Sequence, residues 1–302
     1  MLSRNRIYIL IIILLVALNN NCYEYLSNQN IKASQTLLYR GLFTLFFCLI
    51  IGIIKKERIF PTNIKQQSIR FVTTGGSLLL ILMSYPFLSA GTVSLLQRLD
   101  IPFLIFISII SKRNKKLYQV LLSIVTVIAI LFLTVNPQLI DEDINGFLLV
   151  FASVLMTAVG YFTVHKGSNE ETVPSLINVS AVSSVFFGLI TSFVFPGNFI
   201  FPVFDFMIIA LSAIINVILF YLTVQLYKSY DPERALLPFV WAIISTSILE
   251  MLIENKLYSK QDIFITIGLT VLISIICLGG QRRATYNIKN NSRKPHIKKP
   301  CN

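Results

Sequence analysis

The chain has 302 residues, of which 55% are hydrophobic and 13% charged, and 26 Lys and Arg against 14 Asp and Glu give it a formal net charge of +12. An ordinary soluble domain is about one quarter charged, so that class is excluded, and the apolar content is too high for a disordered chain. With a mean hydropathy of +0.73, the basic excess points to loops beside anionic lipid rather than to nucleic acid.

A helix that crosses a bilayer needs about 20 mainly apolar residues. At that length the sequence predicts ten spans, at 6–24, 34–54, 70–88, 90–111, 117–135, 145–164, 173–194, 203–226, 232–252 and 262–280. The runs are continuously apolar, whereas barrel strands alternate polarity over about ten residues. The expected fold class is therefore an all-α integral membrane protein with ten transmembrane helices. Arg4 and Arg6 ahead of the first apolar run have the form of a signal peptide's opening. Asn19, Asn20 and Asn21 follow without a small-residue cleavage pattern, so the first helix reads as retained. The asparagine run reads as the wet outer end of that helix. Gly75 and Gly76 read as a site of close helix packing. The polar segment 281–302 holds seven Lys and Arg and two prolines, and is expected to be a disordered cytoplasmic tail.

Sorting the charges by side gives an orientation. With a cytoplasmic start, 21 of the 26 basic residues fall inside, Arg58, Arg70 and Lys115 among them. Lys32, Lys256 and Lys260 fall outside, and Arg40 and Arg98 lie within apolar runs. This asymmetry obeys the positive-inside rule and predicts a multi-pass inner-membrane protein with both termini cytoplasmic. Asp141, Glu142 and Asp143, and likewise Glu170 and Glu171, read as loops of solvated charge.

A short pattern occurs twice. Gln97-Arg98-Leu99-Asp100-Ile101-Pro102-Phe103 in the fourth span matches Glu233-Arg234-Ala235-Leu236-Leu237-Pro238-Phe239 in the ninth. Each has a polar residue, Arg, three residues, then Pro-Phe, at the same place in a five-helix half. Two halves of five helices enter the membrane from opposite sides, which is how many secondary transporters build two alternating states. Pro102 and Pro238 are candidate hinges, since proline removes a helical hydrogen bond.

Taken together these features resemble the drug/metabolite transporter superfamily, EamA-like branch. The resemblance rests on Tyr85-Pro86-Phe87-Leu88-Ser89-Ala90-Gly91-Thr92 leading to Pro102, on a second copy from Tyr221 through Pro238 to Glu254, and on Arg40 in Leu38-Tyr39-Arg40-Gly41. Lys112 and Arg113 stand where an acidic residue often closes the fourth helix, and the last helix offers only Gly268 for the family's glycine. The resemblance implies one five-helix repeat over 1–140 and an inverted one over 141–280. It also implies a secondary, non-ATP transporter of amino acids, related metabolites or drug-like compounds.

Ionisable groups inside apolar runs are costly, so they usually face a cavity or a partner. Arg40, Arg98, Asp100 and Glu250 form that short list. On a continuous helix Arg98 and Asp100, two residues apart, point in opposed directions, which leaves Arg40 as the expected partner of Asp100. That pair reads either as a gate beside a cavity or as an ion pair joining two helices. Arg98, beside Gln97, reads as a bidentate ligand for a carboxylate or phosphate, or as a cap for carbonyls freed by Pro102. Glu250 reads as interfacial, with a titratable coupling group as the other reading, and Asp100 shares that coupling role. Arg234 reads as an anchor at the cytoplasmic edge. Tyr85, Asn216, Trp241 and Tyr161 are candidate cavity residues.

Other chemistry is missing. No Gly-rich loop ends in Lys-Ser or Lys-Thr. His165 and His296, with Cys22, Cys48, Cys277 and Cys301, form no metal, disulfide or triad pattern. The reading is of no enzyme, no catalytic residue, no cofactor, no metal and no nucleic acid. The expected partners are a small-molecule substrate and the lipid bilayer, and a homodimer is compatible with the sequence. Two alternatives stay open: a translocase of lipids or lipid-linked sugars, and a non-transporting membrane scaffold.

Overall fold

The computed structural model describes residues 2–111, 115–135, 144–168, 170–194, 202–254 and 260–279, with side chains given for all of these except 2–6, 131–135, 254 and 260–262. Among them every regular element is helical: α1 (Leu2–Asn28), α2 (Ala33–Lys55), α3 (Ile64–Ser84), α4 (Ala90–Gln97), α5 (Asp100–Ile110), α6 (Leu117–Val135), α7 (Ile144–Gly167), α8 (Val173–Val194), α9 (Val203–Ser229), α10 (Pro232–Ala235), α11 (Leu237–Glu254) and α12 (Lys260–Leu278). The loop of Asp141, Glu142 and Asp143, the pair Lys112 and Arg113, and the segment 281–302 lie outside the described residues.

By length and apolar composition, seven stretches can cross a membrane: Ile7–Asn28, Ala33–Lys55, Ala90–Ile110, Ile144–Gly167, Val173–Val194, Val203–Ser229 and Pro232–Ile253. The count is lower than the ten read from sequence. The runs Leu117–Ile130 and Ile263–Leu278 are shorter. The helix α3 carries Gln66, Gln67, Ser68, Arg70, Thr73 and Thr74 among its apolar residues. The surface has a membrane protein's character, with Leu10 and Leu14 on α1 and Phe193 on α8 at 63%, 64% and 85% exposed. Water would oppose so much bare apolar surface, and lipid does not.

Two long apolar stretches are broken, each just before its proline. The stretch Ala90–Ile110 is split at Arg98 and Leu99, and Pro102 lies in the first turn of α5. Proline has no N–H to bond the Arg98 carbonyl and its ring crowds that carbonyl, so the helix must restart there. The chain crosses the break by tighter i to i+3 bonds, from Leu99 N–H to Leu96 and from Ile101 N–H to Arg98. Pro238 lies in the same way in the first turn of α11, after a break at Leu236.

Small residues bring the helices together. A Cβ at Gly188 of α8 would lie 2.7 Å from the Leu38 nitrogen of α2, and one at Gly41 would lie 2.8 Å from the Val185 nitrogen. Such backbone approach is what lets membrane helices gain dispersion contacts where no hydrophobic effect drives them together. Gly75 and Gly76 have the packing role read from sequence, against Ser183 and Met156. Polar bonds add to the packing: Ser153 of α7 donates to the Ser77 carbonyl of α3 at 2.9 Å.

At one end of the bundle the 56–63 and 168–172 connections are tied by Glu171. Its carboxylate accepts from the backbone N–H groups of Thr62 and Asn63 at 2.8 and 3.0 Å, from the Ser175 hydroxyl at 3.1 Å and from Arg58 at 3.1 Å. Glu171 is 5% exposed, so its reading as solvated charge is corrected. The carboxylate sits at the start of α3, where N–H groups have no helical acceptor. Arg70, sorted with the cytoplasmic loops by sequence, is fully buried within α3. It donates to Gln67 Oε1 at 3.2 Å and to the Leu176 carbonyl, and lies over the Phe220 ring. Sequence position near a loop had concealed that tertiary burial.

Candidate functional site

A cavity of about 210 Å³ lies between helices from both halves of the chain. Its polar wall is built from Asn19 and Asn20 of α1, Arg40 of α2, Gln97 and Arg98 at the α4–α5 break, and Asn216 of α9. Tyr23, Tyr161, Tyr227 and Phe239 supply aromatic wall. Gln97, Arg98, Arg40, Asn216 and Tyr161 were legible in sequence as polar or amphipathic residues within apolar runs. The α1 asparagines were not. Asn20 is 5% and Asn21 7% exposed, so the run is no wet helix end. Asn21 donates to the Ala17 carbonyl at 2.9 Å and to the Thr246 carbonyl of α11 at 3.4 Å. The available signal was that three amides in one turn of a spanning helix need buried partners.

The break in the fourth stretch changes the expected ion pair. Arg98 and Asp100 meet, Nη1 to Oδ2 at 3.4 Å, with side chains 3% and 0% exposed. The expectation that they diverge held only for a continuous helix. Arg98 is the last cap of α4 and Asp100 the first residue of α5, so a long side chain can bend back across the interruption. The Arg98 Nη2 also donates to Gln97 Oε1 at 3.1 Å, and its Cζ lies 5.6 Å from the Phe239 ring centroid.

Arg40 makes no ion pair with Asp100. Its guanidinium lies over the Tyr23 ring at 5.6 Å, the side chain is 4% exposed, and Nε has no hydrogen-bond partner among the described residues. Asp100 is spoken for by Arg98, which removes the reason to expect that pair.

The remaining candidates lie elsewhere. Tyr85 is buried against Tyr23, ring centroids 6.0 Å apart, and does not line this cavity. Trp241 is 44% exposed on the same side of α11 as Ile248 and Leu252, away from the cavity. Its neighbours Val240 and Ile243 take the buried side, as the helical period requires. Glu250 is fully buried rather than interfacial, and accepts from the Gly91 N–H at 2.7 Å. Its carboxylate thus faces the positive N-terminal end of α4. Arg234 lies over the Tyr230 ring at 5.3 Å. Glu233, the counterpart of Gln97, is fully buried and ion-paired with Lys115, a residue read as a loop charge. Among the described residues no three His, Cys, Asp or Glu side chains gather as metal ligands would.

The arrangement places hydrogen-bond donors, and a guanidinium with no ion pair among the described residues, around a small space walled by aromatic rings.

No protein-family model matches the chain, and no curated protein does. A solved structure named "Crystal structure of protein" is similar to it with a TM-score of 0.68 at 10% identity, over 91% of this chain and 96% of that chain. At that identity the likeness is one of fold alone.

Proposed function

We propose that the chain is a secondary transporter of the inner membrane, with ten crossings and both termini cytoplasmic. It moves a small metabolite, such as an amino acid or a related compound, by alternating access without ATP. The observation that carries this reading is the cavity: buried polar groups from both halves border one space, beside a helix broken at Pro102. Transporters commonly bind cargo near the midplane where helices are interrupted.

Ten crossings follow if α4 with α5, and α10 with α11, each count as one interrupted crossing. Contacts between connections support the count. Glu171 joins two connections that this topology puts on the cytoplasmic side, and the Gly91–Glu250 bond joins two ends that it puts on the other. The paired Arg-x-x-x-Pro-Phe segments, each at a helix break, support two inverted repeats of the EamA kind. Asp100 and Glu250, both fully buried carboxylates, are the coupling candidates in this scheme. Pro102 and Pro238 are its hinges.

The test is reconstitution in liposomes with labelled amino acids, nucleotide-like metabolites and simple organic carboxylates, with and without a pH gradient. Saturable, protein-dependent uptake or counterflow of any one compound is the expected result. Counterflow absent across the whole panel, from protein shown to be folded and inserted, overturns the proposal.

A further inference from the structure

We propose that the cavity takes a small organic monoanion, a carboxylate on an apolar or aromatic body, with the Arg40 guanidinium as its anchoring charge. This narrows the cargo of the transport reading above, from amino acids to related compounds without an ammonium group, and rests on that reading.

Charge balance makes the case. The ionisable groups of fixed positive charge on the cavity wall are Arg40 and Arg98, and no Asp or Glu lines it among the described residues. Asp100 balances Arg98 at 3.4 Å. Arg40 is 4% exposed and has no ion pair among the described residues; its neighbour is the face of Tyr23. A guanidinium does not give up its proton, and buried charge without a counter-charge is strongly unfavourable. Among the described residues, the space therefore carries one uncompensated positive charge. A monoanion cancels it, whereas a dianion overshoots. A zwitterion brings an ammonium group for which the wall offers no carboxylate.

The hydrogen-bonding inventory agrees. Arg40 Nε, Arg98 Nε, Asn20 Nδ2 and the Tyr227 hydroxyl are buried donors without partners among the described residues, against which the wall sets one such amide acceptor, Asn19 Oδ1. A carboxylate is acceptor-only, and a guanidinium can grip it with two parallel bonds. The rest of the wall suits an apolar body, since Tyr161, Phe220 and Phe239 line it. At about 210 Å³ the space is smaller than the roughly 300–1,000 Å³ of drug-sized sites, which fits a metabolite.

The experiment is equilibrium binding of radiolabelled probes to the full chain in nanodiscs at neutral pH, with no gradient. The probes are phenylacetate, phenylpyruvate and 4-methylpentanoate, compared with phenylalanine, phenethylamine and phenyl phosphate. At least one carboxylate should saturate a single site, tighter than phenylalanine and phenethylamine by about tenfold or more. Phenyl phosphate, near a dianion, should bind more weakly than that carboxylate. Arg40→Gln should weaken carboxylate binding by about tenfold or more, and Arg40→Lys by less.

Equal or tighter binding of phenylalanine or phenethylamine overturns the proposal. So does a folded Arg40→Gln protein that binds carboxylates unchanged, or a wild-type chain that binds none of the three. Should Arg40→Gln fail to fold, the wild-type panel alone decides. Carboxylate binding without liposome counterflow supports the anion site while overturning transport. Counterflow of an amine or amino acid without carboxylate binding overturns the anion site while leaving transport standing.

Discussion

Arg98 sits with its guanidinium carbon 5.6 Å from the centre of the Phe239 ring. Arg98 belongs to the first Arg-x-x-x-Pro-Phe segment, and Phe239 ends the second. The two copies of one motif thus touch beside the cavity, each next to the break that its proline imposes. A change of angle at either break would move a cavity wall.

The breaks themselves can be tested. Pro102→Ala supplies an N–H for the Arg98 carbonyl and removes the ring's crowding, a penalty of about 3 kcal/mol in a helix interior. The helix should then run through, and amide exchange at Leu99–Phe103 should slow by about tenfold or more by mass spectrometry. On the transport reading proposed above, counterflow should slow as well. Unchanged exchange would mean that tertiary packing, not proline, sets the break.

Trp241 is the chain's single tryptophan, so its emission reports one site. Facing outward at 44% exposure, it should be quenched by brominated lipid acyl chains. Trp241→Leu should leave stability within about 0.5 kcal/mol and leave transport unchanged. A marked loss of substrate binding in this variant would return the residue to the cavity wall.

Lys115 and Glu233 form a buried pair, side chains 6% and 0% exposed. Lys115→Ala strands a buried carboxylate and should destabilise the fold by about 3–5 kcal/mol. Replacing both, as Lys115→Met with Glu233→Leu, should recover most of that loss. A double-mutant cycle in thermal unfolding checks it, and additive losses would show that the pair is not coupled.

Stability should fall in acid through Glu171. Burial alone would raise its pKa, but the hydrogen bonds from Asn63, Thr62 and Ser175 outweigh that and hold it below the ordinary value. A depressed carboxylate contributes stability above the unfolded-state value of about 4.3, and the contribution is lost as pH falls through the folded value. Glu171→Gln should cost about 2 kcal/mol near neutral pH and flatten the acid limb of the melting profile. An unchanged limb would assign the acid sensitivity to other groups.

Gly188 and Gly268 should respond in opposite directions. A side chain at Gly188 meets the backbone of Leu38, so Gly188→Val should cost about 1–3 kcal/mol or abolish folding. A Cβ at Gly268 meets nothing within 4 Å, so Gly268→Ala should stabilise α12 by about 0.5–1 kcal/mol. Differential scanning fluorimetry separates the two outcomes.

Sequence by itself determined what depends on composition and local covalent chemistry. Long apolar runs made the regular elements among the described residues helical and suited to a membrane, because a backbone in lipid must bond to itself. Pro102 and Pro238 marked both breaks, since a missing N–H acts on its own helix. The rarity of charge in apolar runs picked out Arg40 and Arg98, which do border the cavity. Only the tertiary structure decided who meets whom. Arg98 takes Asp100 because a broken helix lets neighbours in sequence face each other. Arg40 has no counter-charge among the described residues, Glu171 and Arg70 turn out buried, and Trp241 faces outward. Each depends on which face of a helix is covered by helices distant in sequence, and a nearly uniform apolar surface carries little amphipathic signal to say so. Lipid and protein interior are alike in polarity, so the sequence pattern that sorts inside from outside in water is faint here.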